Sequence, residues 1–200
     1  LEIPDILAIY GSPRKGGNTD ALLDAFVFAA REEGANIQNV CARELDITYC
    51  VECRNCEKLG RCVVEDDMQK IFPLLESSPA IALASPIFFY TVTACVKPLI
   101  DRSQALWAKK YVLKNPAPSN VDGIDRMGYF LSCGATKGKN LFEGAELTMK
   151  YFFDAISVRQ AESLTYRRIE NRGDIENHES ALADAAELGR LAARRATGKD

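Results

Sequence analysis

Asp5-Ile-Leu-Ala-Ile-Tyr-Gly-Ser-Pro-Arg-Lys-Gly-Gly-Asn-Thr19 is the stretch that decides the fold. Its first part is a short apolar run with a β-branched core, bounded by Pro4 and Gly11, which reads as a strand buried on both faces, as parallel strands are. Gly11 to Gly17 is a glycine-rich loop. Asn18 or Thr19 then caps a helix whose apolar face is Leu22, Leu23, Phe26, Val27 and Ala30, and Gly34 ends it.

The same alternation continues along the chain. Strand patterns are expected at Ala35 to Ala42, Ala80 to Ala84, Arg126 to Cys133 and Ser157 to Tyr166. Helical patterns run from Asp66 or Asp67 through Leu75, with a kink or early stop at Pro73, then from the loop after Ala84 to Trp107, from Leu141 to Asp154 and from Glu176 to Arg195. Asn115 to Asp125, rich in Pro, Asn and Asp, reads as an excursion or lid. Five strands separated by helices imply an α/β fold, a doubly wound parallel sheet. The flavodoxin-like order 2-1-3-4-5 fits, with a ligand beside strands one and three. One domain over residues 1–200 is expected, with a cysteine-bearing insertion at about 49–64.

Composition narrows the function. A hydrophobic fraction of 47%, a charged fraction of 26% and a net charge of −3 suit a globular protein and give no reason to expect nucleic acid or an anionic membrane as partner. No apolar run approaches the ~20 residues of a membrane span, and no signal peptide is visible. Seven cysteines, four of them within thirteen residues, fit a metal site in a reducing cytoplasm better than a disulfide scaffold.

The loop between the first strand and first helix is placed to hold an anion, because a helix N-terminus presents free N–H groups and partial positive charge. Gly16 and Gly17 permit close backbone approach, Ser12, Asn18 and Thr19 supply short donors, and Arg14 supplies a charged one. The segment lacks the Gly-Lys-Ser/Thr end of a P-loop. It also lacks G-x-G-x-x-G with an acidic residue for a dinucleotide ribose. A phosphomonoester fits best, and FMN is one; the alternative is a plain βα turn. After the third strand, Pro86 stiffens a backbone whose N–H groups would face the polar edge of a flat ring, and Phe88, Phe89 and Tyr90 offer packing surfaces. Ser132, Cys133, Gly134 and Ala135 approach from the other side. The competing reading makes these aromatics core or dimer-interface residues.

Cys50-Val-Glu-Cys53-Arg-Asn-Cys56-Glu-Lys-Leu-Gly-Arg-Cys62 reads C-x2-C-x2-C-x5-C. Four crowded cysteines can wrap one cubane, a thiolate to each iron; zinc, which favours two separated pairs, and free thiols are the alternatives. Gly60 allows the turn back to Cys62. Cys41 and Cys95 read as buried thiols, and the single histidine, His178, as a surface or helix-start residue. No side-chain acid, base or nucleophile is therefore expected to be catalytic, the chemistry resting with the cofactors.

Gly11-Ser-Pro-Arg with Gly17-Asn-Thr19, the four-cysteine motif, Glu65-Asp-Asp-Met68, Ser85-Pro-Ile and Leu99-Ile-Asp-Arg102 together resemble the iron–sulfur flavoproteins, within the NADPH-dependent FMN reductase-like group of the flavodoxin superfamily. The resemblance covers about residues 5 to 135. It implies FMN and a [4Fe–4S] cluster in each subunit, and homodimers or dimers of dimers. It makes Cys50, Cys53, Cys56 and Cys62 the ligands, Ser12, Arg14, Asn18 and Thr19 the phosphate residues, and Pro86, Ile87, Phe88 and Phe89 the ring platform. The family often has glycine between its first two cysteines, where this chain has Val51 and Glu52.

The expected function is electron transfer, from a ferredoxin-like donor through the cluster to FMN and on to a small acceptor. Two rivals stand beside it. One is an NAD(P)H-fed FMN or quinone reductase with idle cysteines, and the other a non-catalytic redox sensor.

Overall fold

The apolar runs become the strands, and the amphipathic stretches become the helices that cover them. A computed structural model describes residues 2–199; Leu1 and Asp200, the outermost residues of the expected domain, lie outside the described residues. In chain order the elements are β1 (Ile6–Tyr10), α1 (Asn18–Glu32), β2 (Ile37–Cys41), α2 (Cys56–Leu59), α3 (Met68–Ser77), β3 (Ala80–Ala84), α4 (Lys97–Arg102), α5 (Gln104–Tyr111), β4 (Asn120–Val121), β5 (Ile124–Asp125), β6 (Met127–Gly134), α6 (Glu143–Ala155), β7 (Arg159–Arg167) and α7 (Ala181–Ala196).

The main sheet has five parallel strands in the order β2-β1-β3-β6-β7, the flavodoxin-like arrangement expected. Strands β1, β3 and β6 are buried along their whole length. One face packs Ala8 and Tyr129 against Phe26 of α1 and the alanines of α7. The other packs Leu7, Leu83 and Phe130 against α3, α4, α5 and α6 through residues such as Phe72, Leu99, Leu106 and Met149. The contact between α1 and α7 is close because of Gly189: a Cβ there would stand 2.2 Å from the Phe26 carbonyl oxygen.

Several local expectations are corrected. Gly17, not Asn18 or Thr19, is the N-cap of α1, and no side chain caps that end. Helix α3 runs through Pro73 without stopping, because burial of Ile71, Phe72, Leu74 and Leu75 anchors both sides of the proline. The single helix expected up to Trp107 divides into α4 and α5 at Ser103, whose hydroxyl turns back to donate to the Leu99 carbonyl at 3.0 Å. The last helix begins later than expected, after a short 3-10 turn at Asp174–Asn177.

The 115–125 excursion is not a lid. Its β4 and β5 form an antiparallel hairpin turned by Asp122 and Gly123, both at positive φ, as an Asp-Gly turn favours. It precedes β6 and so lies at the amino edge of the sheet, away from the loops that follow the strands. Arg126 pins it there. This guanidinium is completely buried. Its Nε donates to Ser78 O at 3.0 Å, Nη1 to Pro118 O at 3.1 Å and Ile156 O at 2.8 Å, and Nη2 to Leu75 O. Burial pulls its pKa below the usual guanidinium range, and four carbonyl dipoles compensate the charge.

Candidate cofactor sites

The first site lies at the carboxyl ends of the paired strands β1 and β3, the switch point of the sheet. Backbone bonds bring the loops together: Gly11 N–H donates to Ala84 O at 2.7 Å, Ser85 N–H to Leu131 O at 3.1 Å and Ile87 N–H to Cys133 O at 3.2 Å. The Thr93 hydroxyl donates to Gly11 O. The resulting cavity of about 320 Å³ is lined by Ser12, Pro13, Arg14, Gly17, Asn18 and Thr19 after β1, and by Pro86, Ile87 and Phe88 after β3. Cys133, Gly134 and Ala135 line it at the end of β6, and Ile169 and Glu170 after β7.

This cavity suits a phosphate at one end. The uncapped start of α1 leaves backbone N–H groups for an anion, and Gly16, at φ +63°, makes the turn that leads into it. The Ser12 hydroxyl shapes the loop, accepting the Arg14 N–H at 3.1 Å. Asp20 fixes the loop from below: its Oδ2 accepts the Gly16 N–H at 2.9 Å and pairs with Arg43 Nη1 at 3.2 Å, and the same Nη1 donates to Ser12 O at 3.2 Å. Burial raises the Asp20 carboxyl pKa, against the pull of Gly16 and Arg43.

Not every expected residue reaches the cavity in the expected role. Asn18 lines it, but its carboxamide joins two loops, donating to Asn171 O at 2.8 Å and accepting the N–H groups of Gly173 at 3.0 Å and Ile175 at 3.4 Å. Phe89 does not line it: the side chain is 100% exposed and sits on a tight turn with left-handed Phe89 and Tyr90. Ser132 is buried behind the cavity, where its hydroxyl donates to Ser85 O at 2.7 Å. The N–H groups of Ile87 and Phe88, expected to face a ring edge, are bonded to Cys133 O and Thr91 O. Ile169 and Glu170 were missed; the only sequence signal was their place after a parallel strand. Burial pushes the Cys133 thiol up to about 12, so it stays protonated at the cavity wall.

The second site is formed by the cysteine segment. Cys50, Cys53, Cys56 and Cys62 line one cavity of about 420 Å³ together with Arg102, Ala105 and Trp107. Left-handed Glu52, Arg54 and Gly60 (φ +53°, +58° and +66°) reverse the chain between the cysteines, and such alternation makes concave N–H nests of the kind that hold anionic clusters. The four sulfurs surround a space and do not converge on a point: among the described residues no three of His, Cys, Asp and Glu are close enough to hold a metal ion. Asn55 hydrogen bonds lower the exposed Cys53 thiol pKa, and burial raises that of Cys56. Four thiols around a cavity much larger than one ion are a fitting donor set for a cubane.

Two motifs that sequence reading kept apart meet beside this cavity. Asp66 and Arg102 form a buried two-pronged pair, Oδ2 to Nη1 at 2.6 Å and Oδ1 to Nη2 at 3.2 Å. Asp66 also accepts the N–H groups of Thr48 and Met68, each at 3.0 Å. Burial pushes its carboxyl up, but bonding to Arg102 and the two N–H groups outweighs this and its pKa lies below the usual range. His178 packs edge-on against Tyr166, 4.9 Å between ring centroids, and lines neither cavity.

A doubly wound sheet with an uncapped helix start and an edge cavity at its switch point defines a flavodoxin-like fold. Residues 4–164 match the NADPH-dependent FMN reductase family. The chain is 30% identical to an iron-sulfur flavoprotein of Methanosarcina thermophila over 153 residues, 76% of this chain and 73% of that one. It is 41% identical to one from Archaeoglobus fulgidus over 96 residues, 48% of this chain but only 44% of the relative. It therefore belongs to the iron–sulfur flavoproteins of the NADPH-dependent FMN reductase family. Among solved structures an azoreductase from Bacillus anthracis superposes with a TM-score of 0.66 at 15% identity, covering 93% of this chain and 98% of that one. An archaeal flavodoxin superposes with 0.57 at 14%, covering 96% and 98%. These two likenesses concern the fold.

Proposed function

We propose that this chain is an electron-transfer flavoprotein that holds FMN in the switch-point cavity and a [4Fe–4S] cluster on Cys50, Cys53, Cys56 and Cys62. The observation that carries the reading is the presence, in one chain, of an uncapped phosphate loop and a cavity ringed by four thiols. When bound, the cluster exchanges single electrons and the flavin one or two, which suits a ferredoxin-like donor and a small-molecule acceptor. The chain's own part is to bind and orient. The start of α1 with Ser12, Arg14 and Thr19 receives the phosphate, Ile87 and Phe88 supply apolar surface, and Gly134 and Ala135 close the opposite wall. No proton needs to move through a side chain, in keeping with a protonated Cys133 and a remote His178.

The exposed Phe88, Phe89, Tyr90, Leu147 and Tyr151 support a further part of the reading, self-association as a homodimer or homotetramer. Among the described residues no helix is long and apolar enough to cross a membrane, and a reducing cytoplasm suits seven free cysteines.

The test is anaerobic purification with iron, acid-labile sulfide and FMN measured per chain, followed by turnover with reduced ferredoxin. About four irons, four sulfides and one FMN are expected, with turnover lost in Cys50→Ser. FMN without iron or sulfide after reconstitution, together with rapid bleaching of the flavin by NADPH alone, replaces this reading with a hydride-fed reductase.

A further inference from the structure

Arg102 makes more contacts than an ion pair requires. Its side chain is 1% exposed. A guanidinium carries five N–H donors. Nη1 serves Thr48 O at 2.9 Å and Asp66 Oδ2; Nη2 serves Val64 O at 3.1 Å and Asp66 Oδ1. Thr48 precedes the first of the four clustered cysteines and Val64 follows the last, so one side chain joins both ends of the segment that carries them. The fifth donor, Nε–H, is buried with no partner. Leaving such a donor unmade is unfavourable by the full desolvation of an N–H on a charged group. Arg102 also lines the cysteine cavity. Burial opposes its charge, and bonding to Asp66 outweighs that opposition; Cys62 lines the same cavity.

We propose that Arg102 is a positioning residue for the cysteine centre, closing the 48–64 segment at both ends and donating its remaining N–H to the Cys62 sulfur when that sulfur ligates the cluster. The proposal rests on the cluster reading above and goes beyond it. Asp66 balances the charge of Arg102 as a whole, so its action on the cluster is directional, with the positive end of the pair toward the sulfur. A hydrogen bond to a ligand sulfur favours the more negative, reduced form and raises the reduction potential.

The test uses the full chain with FMN bound, purified without oxygen, as wild type and as Arg102→Lys, which keeps a cation but not the fork. Two readouts are compared at equal FMN content: the rate of iron loss to a chelator, and the cluster midpoint potential from an EPR-monitored titration. The expected result is iron loss at least about fivefold faster and a reduction equilibrium constant lowered about tenfold, ~59 mV for one electron. An unchanged potential, with or without faster iron loss, overturns the donor role, because a residue that only holds the loop shut does not move the potential. If Arg102→Lys does not fold, 15N-arginine-labelled protein carrying Arg54→Lys and Arg61→Lys, the other arginines beside the cysteines, decides the matter: an arginine nitrogen coupled to the reduced cluster in pulsed EPR supports the proposal, and its absence overturns it. Wild-type protein that takes up no iron or sulfide on reconstitution overturns the cluster reading, and this proposal with it.

Discussion

Replacing Asn18 by alanine separates two roles for the same residue. From its place in a phosphate loop it reads as a phosphate ligand; in the structure its carboxamide joins that loop to residues 171–175, through bonds of 2.8, 3.0 and 3.4 Å. Two of these have good geometry, and at about 1 kcal/mol net for each the substitution removes ~2 kcal/mol from the protein without FMN. For a domain of this size that is a fall of roughly 4–8 °C in the melting temperature of the FMN-free protein. FMN binding weakens as well, by about 5- to 30-fold if most of that energy serves to hold the cavity closed. The assay is calorimetric melting of FMN-free wild type and Asn18→Ala, with FMN affinity from quenching of flavin fluorescence. A variant that melts with the FMN-free wild type but binds FMN weakly refutes the reasoning and makes Asn18 a direct ligand.

Removing Asp20 by alanine substitution leaves the half-buried Arg43 with only Glu44 at 3.9 Å and frees the Gly16 N–H, a loss of about 2 kcal/mol in urea unfolding; Asp20→Asn, which can still accept from Gly16, is expected to lose less. The Asp66 carboxyl is held below its usual range, so its stabilising contribution is complete above about pH 4, its unfolded pKa, and falls away as pH drops through the lower folded value. Amide exchange of residues 48–64 in the cluster-free protein, corrected for intrinsic rates, is therefore expected to be flat from pH 7 to 5 and to accelerate in stronger acid; acceleration already at pH 6 contradicts this. With its thiol pushed up to about 12, Cys133 has a thiolate fraction of about 1 in 10⁴ at pH 8, so iodoacetamide mapped by mass spectrometry should label the exposed Cys53 long before it. Gly189→Ala forces α7 off the Phe26 carbonyl and is expected to destabilise by about 1–3 kcal/mol, read from the urea midpoint.

Elements whose evidence is local were legible in the sequence. The five strands and their order follow from short apolar runs between helical patterns, and the place of the glycine-rich loop at the sheet's carboxyl edge from its position between a strand and a helix. The four cysteines line one cavity because intervals of two and five residues leave them no distance to part. What was not legible depends on distant partners. Nothing near Asn18 signals that its carboxamide meets residues more than 150 positions away, nor does Glu65-Asp-Asp-Met68 announce a pairing with Arg102. Along β6, Cys133 lines the cavity while its neighbour Ser132 is buried behind it, an alternation the strand period implies but that needed the correct phase. The Asp122-Gly123 turn carries a local hairpin signal, but strands of two residues each are too short for any apolar alternation to mark them.

The close contact of Phe26 with Gly189 sets an order on how the protein is made. Helix α1 carries the glycine-rich loop at its start, yet its buried face waits for α7, which is synthesised long after it. The switch-point cavity also waits for Ile169 and Glu170. The fastening around the cysteines needs nothing beyond residue 102. A growing chain thus completes the surroundings of its four clustered cysteines, Trp107 included, before β6, α6 and β7 are made, and closes the switch-point cavity only after β7.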